Sequence, residues 1–383
     1  MRPCSRWLPV ILLGLLAGGC STLDKFNPFS SSGPKIAPLT PITATAELHV
    51  NWQANVGASE ETIFTPALVG QSVYAADRDG TLARFDGGRQ VWRINAGQGL
   101  SGGVGSDGKL VVIGTPKGEV LAFDAQTGQT AWIARVSSEV LAAPAVGDGL
   151  VVVRSGDSRL FAFEAANGKR RWVYQRSTPA LALRSNVGVL LSGNAILAGF
   201  PGGKLVAVAN ANGSALWEAT VAQPKGATEL ERIADITSVP VVDGREVCAV
   251  AYQGRVACFD MNNGSQLWSR EISSIAGLDM DAKSVYVSDD KGAILALDRA
   301  NGSSLWKQDK LLMRGLSRPL ALGKHVAVAD YQGFVHLLNS GDGAFAARLA
   351  TDGSTISAQP QRIVDGNFLV QTRNGGLYSL SVH

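Results

Sequence analysis

Tryptophan recurs along this chain as a repeat. Trp52, Trp92, Trp132, Trp172, Trp217, Trp268 and Trp306 stand 40, 40, 40, 45, 51 and 38 residues apart. A period near forty confines the chain to stacked supersecondary units, either the blades of a propeller or the coils of a solenoid. Six of the seven share the frame Gly-x-x-x-Trp, as in Gly128 to Trp132 and Gly302 to Trp306, and an eighth frame opens at Gly343 with Ala347 in the tryptophan's place.

Before each frame the sequence alternates, bends and alternates again. Val247 to Tyr252, the bend Gln253-Gly254, and Arg255 to Asp260 are one example. Period-two alternation around a glycine bend is the pattern of a β-hairpin. Equivalent bends fall at Asp79-Gly80, Lys117-Gly118, Asp157-Ser158, Gly202-Gly203, Lys291-Gly292, Gln332-Gly333 and Gly375-Gly376, so there are eight hairpins. Adding a first strand and a tryptophan strand to each gives an all-β, eight-bladed β-propeller of four-stranded blades over residues 48–383. Pro66, Pro144, Pro240, Pro319 and Pro360 recur where first strands are expected. Proline has no amide to donate, so those strands should be edges facing the central channel. The tryptophans then belong on outer strands, wedged between neighbouring blades. His49 to Trp52 has no hairpin before it and the last hairpin has no tryptophan strand after it, so the two ends should share one blade and close the ring.

The period lengthens after Trp172 and Trp217. The extra residues fall in connections from an outer strand to the next blade's inner strand, all of which share one face of a propeller. Two neighbouring blades therefore carry enlarged connectors side by side. The first contains Pro179-Ala180-Leu181-Ala182-Leu183-Arg184, and the second runs from Glu229 through Asp235 to Thr237. Leucines beside an arginine, opposite an acidic stretch, suit a protein interface whose apolar anchors are framed by charge.

The N-terminus reads as a targeting segment. Arg2 and Arg6 precede an apolar run from Leu8 to Leu16, then Ala17-Gly18-Gly19 and Cys20. The run is too short to span a bilayer. A cysteine after small residues resembles the bacterial lipoprotein signal, in which the thiol is acylated, although Ala17 stands where leucine is usual. The expectation is a signal over 1–19, lipidation at Cys20, and a Ser- and Pro-rich flexible tether over 20–47. Ser21, where an inner-membrane retention signal has Asp, favours the outer membrane. Without Arg2 and Arg6 the 35 basic residues become 33 against 32 acidic ones, a net charge of +1. That balance argues against nucleic acid, which needs a basic footprint.

Several motifs mimic chemistry. Gly99 to Gly103 fits G-x-S-x-G and Gly103 to Gly108 fits G-x-G-x-x-G, but both need a strand-turn-helix context and here the strand Leu110 to Ile113 follows. His49, His325, His336 and His383 are single and lack metal-ligand spacing. Asn212-Gly213-Ser214, Asn263-Gly264-Ser265 and Asn301-Gly302-Ser303 match a glycosylation acceptor, yet each is the bend before a tryptophan strand. Cys248 and Cys258 flank one bend, where a cross-strand disulfide is an open alternative to free thiols.

The tryptophan repeats, the lipoprotein-like start, Val73 to Arg78, Leu181 to Arg184 and Thr228 to Pro240 together resemble the BamB family, lipoproteins of the outer-membrane β-barrel assembly machinery. The resemblance spans nearly all of the mature chain. It implies a non-catalytic scaffold, anchored in the outer membrane and facing the periplasm, that binds the polypeptide-transport-associated domains of BamA and assists insertion of nascent barrel proteins. The family's BamA-contacting positions fall on Leu181, Leu183 and Arg184, and its pair of aspartates on Asp235 and Thr237, the second of which is not acidic here. The competing enzymatic reading is a quinoprotein dehydrogenase with a similar repeat, holding pyrroloquinoline quinone and calcium. Resemblance to those enzymes requires adjacent cysteines, a calcium-binding set and a longer chain. Asp289-Asp290 is a tight acidic pair inside a repeat, and it reads as a turn. No catalytic residue, cofactor or metal site is expected.

Overall fold

The structure, a computed structural model, describes residues 35–363 and 366–383. Cys20 and the targeting segment lie outside the described residues. Eight four-stranded antiparallel sheets form the blades. Blades 1 to 7 occupy residues 67–95, 102–135, 145–174, 189–220, 241–270, 277–308 and 320–350, each with its strands in chain order across the sheet. Blade 8 takes three strands from 361–382 and its outer strand, Leu48–Asn55, from the other end of the chain. Leu48 pairs with Val382 and Asn55 with Gly376, which closes the ring as expected.

The core lies between blades rather than in a single centre. Eight apolar clusters are formed by the described residues, and each is shared by two successive blades. Leu197, Leu205 and Ala207 of blade 4 meet Val247, Ala249 and Phe259 of blade 5. Val73, Ala75 and Phe85 of blade 1 meet Leu369 and Leu377 of blade 8 across the closure. The middle strands are covered on both faces and so read as continuous apolar runs, as in Leu150–Arg154 and Ala195–Phe200. First strands of successive blades touch one another and line the axis. The five prolines sit one residue before these strands, at Pro66, Pro144, Pro240, Pro319 and Pro360, so none displaces a ladder hydrogen bond.

The repeat frame has a reason that crosses blades. Each tryptophan lies on the glycine of the next blade's frame: Trp52 on Gly88, Trp92 on Gly128, Trp132 on Gly168, Trp172 on Gly213, Trp217 on Gly264, Trp268 on Gly302 and Trp306 on Gly343. A Cβ at Gly213 would stand 2.7 Å from the Trp172 ring, and its φ of +77° also favours glycine. Six of the indole N–H groups donate across the same seam; Trp132 donates to the Ala165 carbonyl at 2.8 Å and Trp306 to that of Ser340 at 2.8 Å. Glycine and tryptophan of one frame thus serve two different interfaces. Ala347 faces blade 8, whose third strand ends at Val382 and whose fourth begins at Leu48 with no turn joining them, so there is no glycine bend for an indole to cover.

The N-terminal segment fills that place. Thr45 and Ala46 donate to the Ala346 carbonyl, Ala37 donates to that of Leu312, and Leu39 packs into the blade 6–7 core. Arg314 and Arg348 donate to the carbonyls of Ala37 and Thr40 at 3.1 and 2.9 Å. Residues 37–46, expected within the flexible tether, are therefore held on the ring, because buried guanidiniums reach their carbonyls. Cys248 and Cys258, direct partners in the blade 5 ladder, form a disulfide. The strand Gly102–Ser106 runs through the overlapping glycine motifs and is followed by the strand Leu110–Gly114, so neither motif has its helix.

Candidate functional site

The connectors from outer to inner strands are uneven. Residues 175–188 join blade 3 to blade 4, and residues 221–240 join blade 4 to blade 5. These two are longer than any other outer-to-inner connection of the ring. They meet on one side of it, where the carboxylate of Asp235 accepts the amide of Leu183 at 2.7 Å and that of Gly202 at 3.0 Å. One buried side chain from the second connector thus fixes the first connector and the hairpin bend of blade 4. Asp235 is only 3% exposed. Burying a carboxylate is tolerated here because the two amides satisfy it and Arg154 lies close enough for its charge to act on it.

The first connector presents what Asp235 holds in place. Leu181 is 40% exposed, Leu183 is half-buried and Arg184 is exposed. Arg184 lies 3.5 Å from the Glu139 carboxylate on the neighbouring connector. The hydroxyl of Ser138 holds Glu139 below the ordinary carboxylate range, and Arg184 adds to this. Beneath the loop, Phe200 is covered by two guanidiniums, Arg154 at 5.3 Å and Arg176 at 5.5 Å from its ring. Arg154 also donates to the Gly199 carbonyl at 2.6 Å. Desolvation lowers the Arg154 guanidinium from its ordinary value, with Asp235 opposing the shift.

The second connector has a projecting tip and a buried stem. At the tip Thr228 and Glu231 form a capping box: the Thr228 hydroxyl accepts the Glu231 amide at 3.2 Å, and the Glu231 carboxylate accepts the Thr228 amide at 3.0 Å. This turn carries Leu230, 66% exposed, between the exposed Glu229 and Glu231. In the stem, Ile233 to Ser238 are buried, and Ile236 bridges to Ala251. The Thr237 hydroxyl donates to the carbonyls of Ser274 and Ile275, at 3.3 and 3.1 Å.

The five expected contact residues therefore divide. Leu181 and Arg184 face outward on one loop with the half-buried Leu183 between them, while Asp235 and Thr237 lie in the stem beneath it and offer no acidic surface. The acidic surface is that of Glu229 and Glu231. Sequence reasoning missed Arg154, Arg176 and Phe200. A charge at the end of the otherwise apolar strand Leu150–Arg154 was the available signal. Among the described residues, the one cluster of metal-ligand types is Glu246 with Cys248 and Cys258, and the disulfide occupies both sulfurs.

Comparison with known proteins follows this architecture. A family model described as "Outer membrane protein assembly factor BamB" matches residues 78–308. The outer membrane protein assembly factor BamB of Nitrosomonas eutropha is 43% identical, over 99% of this chain and 96% of its own length. The crystal structure of BamB from Moraxella catarrhalis superposes with a TM-score of 0.82 at 28% identity, over 88% of this chain and 100% of that one. The quinohemoprotein alcohol dehydrogenase of Comamonas testosteroni reaches a TM-score of 0.71 at 14% identity, covering 87% of this chain and 76% of its own, which is a likeness of fold alone.

Proposed function

The chain belongs to the BamB family of outer membrane protein assembly factors, and from that premise we propose that it is a non-catalytic scaffold whose paired connectors dock the periplasmic polypeptide-transport-associated domains of BamA. The observation that carries this reading is the bond from the Leu183 amide to Asp235, which gives an exposed loop a fixed shape before any partner arrives. Pre-organisation lowers the ordering cost of association, so a small apolar anchor can suffice. Leu181 and Leu183 supply that anchor, Arg184 its charge, and Asp235 and Thr237 act through the loop they brace. A partner surface with an apolar hollow beside an acidic group fits this arrangement.

In this reading Cys20 carries the lipid, the outer membrane holds the anchor, and the ring lies on the periplasmic side, close to where barrel proteins are inserted. Co-purification tests it. Leu183→Asp and Arg184→Glu should each abolish capture of BamA while leaving the thermal midpoint unchanged, since both alter an outward-facing loop. Retained capture by both variants would move the interface elsewhere on the ring.

A further inference from the structure

A second site lies at the mouth of the central channel, bordered by the inner ends of the two long connectors, Asn186 to Gly188 and Thr237 to Val239. A cavity of about 590 Å³ opens there, within the range of small-ligand sites. Its wall contains Arg318, which is 8% exposed. The guanidinium donates to the Leu278 carbonyl at 2.6 Å and to Gln359 Oε1 at 3.0 Å. Both acceptors are neutral, and no carboxylate among the described residues forms an ion pair with it. Asp279 acts on it only through its charge, with one oxygen taken by the Ala321 amide at 2.8 Å. Burial pushes the guanidinium below its ordinary value, and Asp279 partly offsets this. Arg314, by contrast, meets a carboxylate directly, Asp330 at 2.6 Å, whereas Arg154 shares Arg318's situation, with a neutral carbonyl acceptor and Asp235 acting only through its charge. A buried cation without a directly bonded anion is costly unless something else supplies the charge.

Beside Arg318 is a second unmet group. Ser238 is 7% exposed, lines the same cavity, and its hydroxyl has no hydrogen-bond partner. The two are brought together by Gly277, where a Cβ would stand 2.7 Å from Ser238 Cβ and 3.5 Å from Arg318 Cδ. The rest of the wall mixes aliphatic residues, Val187, Val239, Ile275 and Leu316 among them, with hydroxyl and amide side chains such as Thr65, Asn186 and Ser357. Asp290 and Lys291 at the rim are exposed, opposite in sign and screened by solvent, and Asp289 is bonded to the amides of Lys291 and Ala293.

We propose that this cavity binds a small amphipathic carboxylate, its anionic head between Arg318 and Ser238 and its apolar body against the aliphatic part of the wall. A carboxylate accepts both the guanidinium N–H and the hydroxyl, which answers the two unmet groups with one ligand.

Isothermal titration of the full chain with octanoate and with N-acetyl-leucine tests the class and separates a fatty-acyl source from a peptide-like one; binding of either supports the site. Octanamide and sulfate are the controls, lacking the charge and the apolar body respectively. Each should bind roughly tenfold or more weakly than the better carboxylate. Arg318→Gln should lose binding by a similar factor. Because that variant alters a buried charge, Ile275→Trp provides an independent block: residue 275 is exposed at the cavity wall, so the substitution narrows the mouth without touching the core. Loss of carboxylate binding in Ile275→Trp with an unchanged thermal midpoint supports the proposal. No binding of either carboxylate to the wild-type chain, equal binding of octanoate and octanamide, or undiminished binding by both variants overturns it.

Discussion

The rim of the ring and its connector face obey different rules. At the rim one contact, an indole on a glycine, is repeated seven times with nearly the same geometry, and it lies beside the turns that join third and fourth strands. On the opposite face the outer-to-inner connectors differ in length and composition, and the two longest are neighbours tied by one aspartate. Uniform contacts hold the ring closed. The departures from uniformity are where a partner can be told apart from any other surface, because only they present a shape that occurs once around the ring.

The sharpest way to separate the two regions is to damage the rim. Trp268→Ala removes an indole that covers Gly302 and donates to the Arg299 carbonyl at 2.7 Å. It should cost about 3–5 kcal/mol of stability, measurable by chemical denaturation, while the folded fraction still captures BamA. Leu183→Asp should do the reverse: capture falls by more than about 2 kcal/mol and the denaturation midpoint stays in place. If both variants lost stability and capture together, the division between the regions would fail.

Asp235→Ala bridges the comparison. It leaves the amides of Leu183 and Gly202 without their acceptor, so about 1–3 kcal/mol of stability should go, and capture should weaken without vanishing because Leu181, Leu183 and Arg184 remain. Hydrogen exchange at the Leu183 amide reads this directly: faster exchange in the variant is expected, and unchanged protection would remove Asp235 from its bracing role.

The smallest effect concerns acid inside blade 7. His336 Nε2 lies 3.0 Å from Asp330, and Arg348 donates to His336 Nδ1 at 3.1 Å, so the ring is held neutral. Desolvation lowers His336 from its ordinary value of 6.5. For Asp330 desolvation raises the carboxyl, but the hydrogen bonds from His336 and Phe334 outweigh it, and the group lies below its ordinary 3.8. Both groups bind protons more readily in the unfolded chain, so stability should decline as pH falls below 6.5 and again below 3.8. His336→Phe should flatten the first decline in a pH series of denaturation midpoints, and an identical series would exclude His336 as its source.

Blade number and hairpins were legible because each depends on a local pattern repeated eight times, so that a weak signal in one blade is corrected by the others; ring closure was legible from the unmatched strand at one end of that series and the unmatched hairpin at the other. The pairing of Cys248 with Cys258 was visible only as an alternative, since it depends on register. Burial of Asp235 and Thr237 was not legible: the second connector is a single copy, and nothing in Glu229 to Thr237 marks where its exposed tip becomes a stem. The docking of residues 37–46 was hidden for a related reason. Their partners Arg314 and Arg348 lie about three hundred positions away, and the segment's own side chains contribute little apart from Leu39 and Ala46. The meaning of the Gly-x-x-x-Trp frame was only half legible, because its two residues serve different neighbours.

The most direct measurement is a titration of purified BamA periplasmic domains into three proteins: the wild type, Leu183→Asp, and Ile133→Asp. Ile133 is 60% exposed on an outer strand, more open than the half-buried Leu183 and so no less tolerant of an introduced charge. The docking-face account requires binding by the wild type and by Ile133→Asp with the same affinity, and none by Leu183→Asp. Loss of binding in Ile133→Asp with undiminished binding in Leu183→Asp would place the partner on the rim and contradict it.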